Sequence, residues 1–381
     1  MAHEYHKWIE LSKDNLLHNI SFLKNRIGKN VKFCSVVKSN AYGHGILEVA
    51  RILRDFTDFL GVHEIGEAKI LIDNGIDENP VLILGPVHPD DLDWAVQHDL
   101  HLTVYEKSAV DMLDSAAERA GRKAKMHLKM DTGTSRQGIL PGELGSYARL
   151  IKSSPNIELT GLSMHFANIE DTLNHQYAYG QLSLFQSAIR ELSKAGLSPD
   201  YIHSACTAAA LLFPDTHFSM VRSGIGLYGL WPSRETYLSY QERYGADDRL
   251  KPVLSFKTSI VQVKDIPENT PVGYGCSFIT SRKTRIGVLP VGYADGYLRA
   301  FGNRASVIVR KRYAKVIGRI CMNLCMIDIT DIPDAQLYDT VTLIGSDGDR
   351  AVSADDLARL ANTINYEIVT LLNSSLKRII V

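Results

Sequence analysis

KFCSVVKSNAYGHG, residues 32–45, runs through Phe33, Cys34, Val36 and Val37, closes on Lys38, and then breaks into small polar residues, a tyrosine and two glycines. A short run of aromatic and β-branched residues bounded by turn formers reads as a strand. Gly43 and Gly45 read as a sharp turn that must follow once Lys38 and Tyr42 have been delivered. Working outward, the same texture recurs in FLGVHE (59–64), VLILG (81–85), LHLTVY (100–105), KMHLKMD (125–131), LTGLSMHF (159–166), YIHSA (201–205) and SMVRSG (219–224). Between these runs lie stretches of helical period such as EKSAVDMLDSAAERAG and HQYAYGQLSLFQSAIRELSKAG. Eight strand-helix alternations predict an α/β fold, a (β/α)8 TIM-like barrel, with a doubly wound sheet as the alternative.

After GLYGLWPSRETYLSYQERYGADDRL, a polar, tyrosine-rich stretch, the pattern changes to closely spaced Val-, Ile- and Thr-rich runs such as PVLSFKTSIVQVKDI, TRIGVLPVG and ASVIVRKRYAKVIGRI. These predict a mainly β second domain. The expected division is 1–240 for the barrel and 241–381 for the β domain, with residues 1–10 candidates to pack with the latter. A helix is expected in SADDLARLANTI, started by Ser353 as N-cap.

Composition narrows the partners. With 381 residues, 45% of them hydrophobic, the chain is long enough for two cored domains. A net charge of −1 without a Lys/Arg run argues against nucleic acid, which needs clustered positive charge. No apolar stretch reaches membrane-span length and the start lacks a signal pattern, so the expectation is a cytoplasmic protein, or the soluble domain of a membrane-anchored parent. Five scattered cysteines read as buried free thiols, and Cys321 and Cys325 lack the second ligand pair of a zinc site.

In a barrel the C-terminal strand ends face the active site. Lys38, His63, Lys129, Arg136, His165, Thr207 and Arg222 all fall on or just after such ends. Any one of them alone is an ordinary rim residue. Their convergence marks a site.

VVKSNAYGHG resembles the pyridoxal 5'-phosphate attachment motif of the alanine racemases. The similarity continues through WIEL, KMDTGTSRQG, HSACTAAAL, VRSGIGLYG, YGCSF, LPVGYADGY, GRICMNLCM and INYE. The resemblance implies a barrel plus a β domain, a head-to-tail homodimer with shared sites, and two catalytic bases on opposite faces of the substrate: Lys38, which holds the cofactor, and Tyr274, supplied by the partner subunit. It further implies that Arg222 faces the pyridine nitrogen, that His165 stacks near the cofactor, and that Tyr42, Thr207, Gly224 and Ile225 bind the phosphate. Arg136, Tyr293, Met322 and Asn323 would bind substrate. Lys129 matches a lysine carbamylated in many relatives, whose anion orients Arg136.

Two departures bear on specificity. The family usually reads CMD where this chain has Cys321-Met322-Asn323, and an ungapped match of INYEIVTLLNSSLKR puts Ser374, beside Asn373, where the family has a tyrosine. A small hydroxyl there suits a hydroxymethyl substrate side chain, as in the serine/alanine racemases of vancomycin resistance. The expected activity is therefore interconversion of L- and D-serine or L- and D-alanine, serine favoured, with a strict alanine racemase as the alternative. A pyridoxal-phosphate carrier and an amino-acid decarboxylase are remoter readings. The first needs no β domain, and the second commonly needs a cysteine-based partner site.

Overall fold

The computed structural model describes residues 5–245 and 249–381. They divide into two compact units. One comprises Leu16–Ala41 and Val49–Lys251; the other comprises Met1–Asn15, Tyr42–Glu48 and Pro252–Val381.

The first strand, β1 (Lys7–Leu11), belongs to the second of these units. The other unit is built on β2 (Lys32–Val36), β3 (Phe59–Val62), β4 (Val81–Ile83), β5 (His101–Val104), β6 (Ala124–Lys129), β7 (Ile157–Ser163), β8 (Tyr201–His203) and β9 (Met220–Ser223). All neighbours are parallel, in the order β8-β7-β6-β5-β4-β3-β2-β9. Two backbone bonds, Ser219 N to Ile202 O at 3.2 Å and Arg222 N to Ala205 O at 3.1 Å, join the edges β8 and β9 and nearly close the barrel. Strands covered on both faces read as largely apolar runs, and Phe33, Leu60, Val62, Leu82, Leu128 and Leu162 are buried accordingly. All eight predicted strands are present, so the barrel expectation holds over the doubly wound alternative.

The tyrosine-rich stretch read as a boundary holds a helix, Arg234–Tyr244. Ser233 caps it by accepting from Thr236 N, and Tyr240 is its buried anchor.

In the other unit β10 (Leu254–Ser259), β11 (Gln262–Ile266), β12 (Thr284–Leu289), β13 (Ser306–Val309), β14 (Arg312–Ile317), β15 (Cys325–Asp328), β16 (Thr340–Asp347), β17 (Arg350–Val352) and β18 (Lys377–Ile380) join β1 in one ten-stranded sheet. β1 lies between β10, antiparallel to it, and β18, parallel to it. The Ser353 cap starts a helix over Ala354–Ala361. All five cysteines are free. Only Cys34 and Cys325 are fully buried, and Cys276 is exposed, which corrects the buried-thiol expectation: Cys276 lies in a turn between strands rather than in an apolar run.

Candidate active site

Lys38 begins the site because of how the chain leaves β2. Ser39, Asn40 and Ala41 take φ/ψ of 54/52, 53/47 and 53/50, and Tyr42 also has positive φ, 53. Four consecutive non-glycine residues thus stand in the left-handed region, each at a cost of roughly 1–2 kcal/mol. Surrounding contacts must offset that strain. Ala41 N donates to Val37 O at 2.8 Å. The Glu67 carboxylate accepts from Ser39 N and, at 2.8 Å, from His63 N. Beyond Tyr42, Gly43 has φ 81, and a Cβ there would lie 1.9 Å from Val369 O, so the turn ends on a backbone approach open to glycine alone.

Burial chiefly, then the charge of Arg136, lowers the pKa of Lys38; Glu67 opposes this and Arg222 adds to it. Lys129, at the end of β6, is lowered to about 7 by burial and by Arg222, Arg136 and Lys38. An amine in that range is substantially neutral near pH 7. A charged lysine beside the Arg136 guanidinium would repel it, and the lowered pKa reduces that repulsion. Arg136 follows a loop gathered on one carboxylate: Asp131 Oδ1 accepts from the amides of Gly133, Thr134 and Ser135, and Oδ2 from Arg136 N.

Arg222, on β9, is buried and commits both terminal nitrogens. Nη1 donates to His203 O at 2.9 Å and to His203 Nδ1, while Nη2 donates to Met164 O at 2.8 Å and Ser204 O at 3.3 Å and reaches His165 Nδ1 at 3.5 Å. Among the described residues Nε has no protein acceptor, which leaves it to donate to a ligand. Behind Arg222 runs a chain of barrel-interior histidines: His203 Nε2 meets His127 Nδ1 at 2.8 Å, and His127 Nε2 meets His101 Nδ1 at 2.9 Å. Gly161 makes room for this chain, since a Cβ there would lie 2.1 Å from the His127 ring. Burial first, then Arg222 among other charges, holds the pKa of His165 and His203 well below the usual value. These imidazoles are neutral. Gln181 supports the loop after β7, donating to His165 O at 3.3 Å and accepting from Ala167 N at 3.0 Å.

At the end of β9, Thr207 Oγ1 lies 2.9 Å from Ser223 Oγ and accepts from Gly226 N at 3.4 Å. Gly224 and Ile225 follow, both buried, and among the described residues neither amide donates to a protein acceptor.

The β unit gathers a second set. Tyr293 N donates to Cys321 O at 3.1 Å, Ala294 N to Met322 O at 3.0 Å, and Asn373 Nδ2 to Ala294 O at 2.9 Å. The Tyr293, Met322-Asn323 and Asn373-Ser374 segments are thereby tied together. Tyr274 is 72% exposed, in a turn whose flanking Gly273 and Gly275 lie against Met326 and Arg319 respectively. Tyr42, in this unit, sets its ring 6.1 Å from that of Tyr366.

Comparison with known proteins decides the family. The pattern of the alanine racemase N-terminal domain matches residues 11–232, and that of the alanine racemase C-terminal domain matches 253–380. The chain belongs to the alanine racemase family. It is 37% identical over 374 residues to alanine racemase of Methanococcus maripaludis, covering 98% of each. It is 39% identical over 363 residues to that of Halothermothrix orenii, covering 95% of this chain and 93% of the other. Among solved structures, alanine racemase of Clostridium difficile 630 superposes with TM-score 0.92 at 31% identity, covering 99% of this chain and 96% of that one. The Bacillus anthracis enzyme with bound L-Ala-P gives TM-score 0.90 at 31% identity, covering 100% and 96%.

As a member of this family the chain is an amino-acid racemase dependent on pyridoxal 5'-phosphate. Its residues fit that group. Two buried backbone donors without acceptors beside a threonine hydroxyl suit a phosphate. A guanidinium Nε suits an unprotonated ring nitrogen, and a half-buried lysine of lowered pKa suits a carbonyl carbon. Sequence reading missed Glu67, His203, His127, Asp131 and Ser223. The available signals were the acidic residue in the first turn after β3 and the recurrence of histidine inside three strands.

Proposed function

We propose that the protein interconverts the L and D forms of serine and alanine, serine favoured, by two opposed bases, Lys38 and Tyr274, in a homodimer whose sites draw on both subunits. The observation that carries the reading is Lys38 itself: a half-buried amine whose proton affinity is reduced by its partial burial, Arg136 and Arg222, at a barrel-strand end. Bound there, pyridoxal phosphate supplies the electron sink that acidifies the substrate α-carbon. Lys38 then accepts or returns the α-proton at Nζ on one face, and the Tyr274 hydroxyl does so on the other. Arg222, permanently charged and donating through Nε, holds the ring nitrogen as an acceptor and restrains side reactions. Arg136, with Met322 and Asn323, receives the substrate carboxylate. Lys129 becomes carbamylated, its amine nitrogen bonding to the carbon of CO2 with release of a proton, and the resulting anion orients Arg136. Thr207, Gly224, Ile225 and Tyr42 hold the phosphate, and His165 packs beside the ring.

The serine preference rests on residue 374. Asn373 spends its amide on Ala294 O and on Ser375 N, leaving the exposed Ser374 hydroxyl as the group able to meet a substrate hydroxyl. A strict alanine racemase is the second reading, favoured by the names of the relatives. Incubating L-serine and L-alanine separately and following the D enantiomer by chiral chromatography tests both. Faster alanine turnover removes the serine preference. Carbon dioxide without a D product removes racemisation.

A further inference from the structure

Glu67 has no place in the reaction described above, yet it touches the two strand ends that matter to Lys38. It sits half-buried in the first turn of the helix Ile65–Asp73. One carboxylate oxygen accepts from Ser39 N, the residue after Lys38, and the other accepts from His63 N, just past β3, at 2.8 Å. The donor on the Lys38 side opens the left-handed turn Ser39–Tyr42, a backbone path that non-glycine residues hold only when neighbouring contacts enforce it. A carboxylate accepting two backbone amides is a strong, charge-assisted hook.

We propose that Glu67 is a positioning residue for Lys38: by bridging the amides of Ser39 and His63 it fixes the path on which the chain leaves β2, and so where the Lys38 amine stands. This rests on the reading that Lys38 carries the cofactor and moves the α-proton. The charged groups whose fields act on Lys38 are Arg136, Arg222 and Glu67, and Lys38 in turn acts on Lys129 and His165. Glu67 is the anion of this set. Its loss leaves the Lys38 proton held less tightly, so the amine titrates at lower pH.

The test uses Glu67→Gln, which keeps the size of the side chain and removes its charge, and Glu67→Ala, which removes both acceptors. Two readouts are taken. In the holoenzyme, the acidic limb of the kcat profile is followed against pH, because kcat reports the groups of the substrate complex, in which the Lys38 amine is released from the cofactor. In the full chain stripped of cofactor, acetylation of Lys38 is followed against pH by mass spectrometry. The expected result is a downward shift of about half a pH unit or more in both midpoints for Glu67→Gln, and for Glu67→Ala a fall in kcat of about tenfold or more with an unchanged helical spectrum. A loss of thermal stability with both midpoints unmoved makes Glu67 a helix-terminus residue only and overturns the proposal. So does an upward shift. Because the acetylation midpoint is read without turnover, it stands even where Lys38→Ala retains racemisation, an outcome that sinks the proposed mechanism instead.

Discussion

Arg222 donates from Nη1 to Nδ1 of His203, and that bond sets the tautomer of every histidine behind it. A guanidinium has donors only, so His203 must accept at Nδ1 and carry its proton on Nε2. His127 therefore accepts at Nδ1 and donates from Nε2 to His101 Nδ1, which leaves the His101 proton on Nε2. A permanent cation at the rim thus orients a line of neutral dipoles through the barrel interior, and protonating any member breaks the line.

The first prediction follows from that neutrality. Burial lowers the His101 pKa from 6.5 to about 4, with Lys125 adding to the effect, while the unfolded chain keeps the ordinary value. For a base depressed in the folded state, the unfolded chain binds the proton first, so stability is full above pH 6.5 and falls as pH drops toward 4. The His101 share is about 3 kcal/mol. Chemical denaturation from pH 7 to 4 should show this loss. His101→Gln, whose Oε1 still accepts from His127, should flatten the slope; an unaltered slope means the chain titrates elsewhere.

Lys129 gives a second pH signature, of the same sign but in a more alkaline window. Its folded pKa is about 7 against 10.5 unfolded, so in CO2-free buffer the buried charge costs stability fully below pH 7, and the cost fades as pH rises to 10.5. Lys129→Met should therefore raise the melting temperature, by a stabilisation on the order of 4 kcal/mol at pH 6 that shrinks toward zero near pH 10. With bicarbonate present, mass spectrometry should find CO2 added to Lys129, and the variant should lose substrate affinity. A stability gain independent of pH contradicts the assigned titration.

How much of this was legible beforehand depended on periodicity. The barrel strands were, because runs such as Val36-Val37 and Leu82-Ile83 are apolar on both faces and stop at Lys38 and Gly85. The helix Arg234–Tyr244 was not, because among its residues only Thr236 and Tyr240 are buried and no apolar stripe forms. The histidine chain was hidden for another reason: His101, His127 and His203 sit far apart in sequence and meet only through the register of β5 to β8. Glu67 carries no distinctive signal, because an acidic residue in the first turn of a helix is common for the helix's own sake. The Ser39–Tyr42 turn was partly readable, since Gly43 and Gly45 announced a bend, but nothing in Ser-Asn-Ala-Tyr announces a left-handed one.

The proposed sharing of sites gives a mixing experiment. Lys38 and Arg222 belong to the barrel unit, Tyr274 and Met322 to the β unit. Lys38→Ala and Tyr274→Phe chains, each inactive alone, should regain activity when co-expressed, because a heterodimer holds one site with both lesions and one with neither. Purified heterodimers that stay inactive show that each site is built within one chain.

The last prediction concerns Ser374. Its segment is held from below by Arg378, whose Nη1 donates to the carbonyls of Asn373, Ser374 and Leu376 at 3.0, 2.8 and 2.6 Å and whose Nη2 donates to Gly43 O at 2.9 Å. With the backbone fixed in this way, a change at residue 374 alters the side chain and little else. Leaving a substrate hydroxyl unpaired in a closed site costs about 1–3 kcal/mol. Ser374→Tyr should therefore lower kcat/KM for L-serine about tenfold while leaving L-alanine unchanged or improved. If both substrates fall together, residue 374 supports structure rather than choice. If neither falls, the hydroxyl of residue 374 does not meet the substrate, and the serine preference loses its basis.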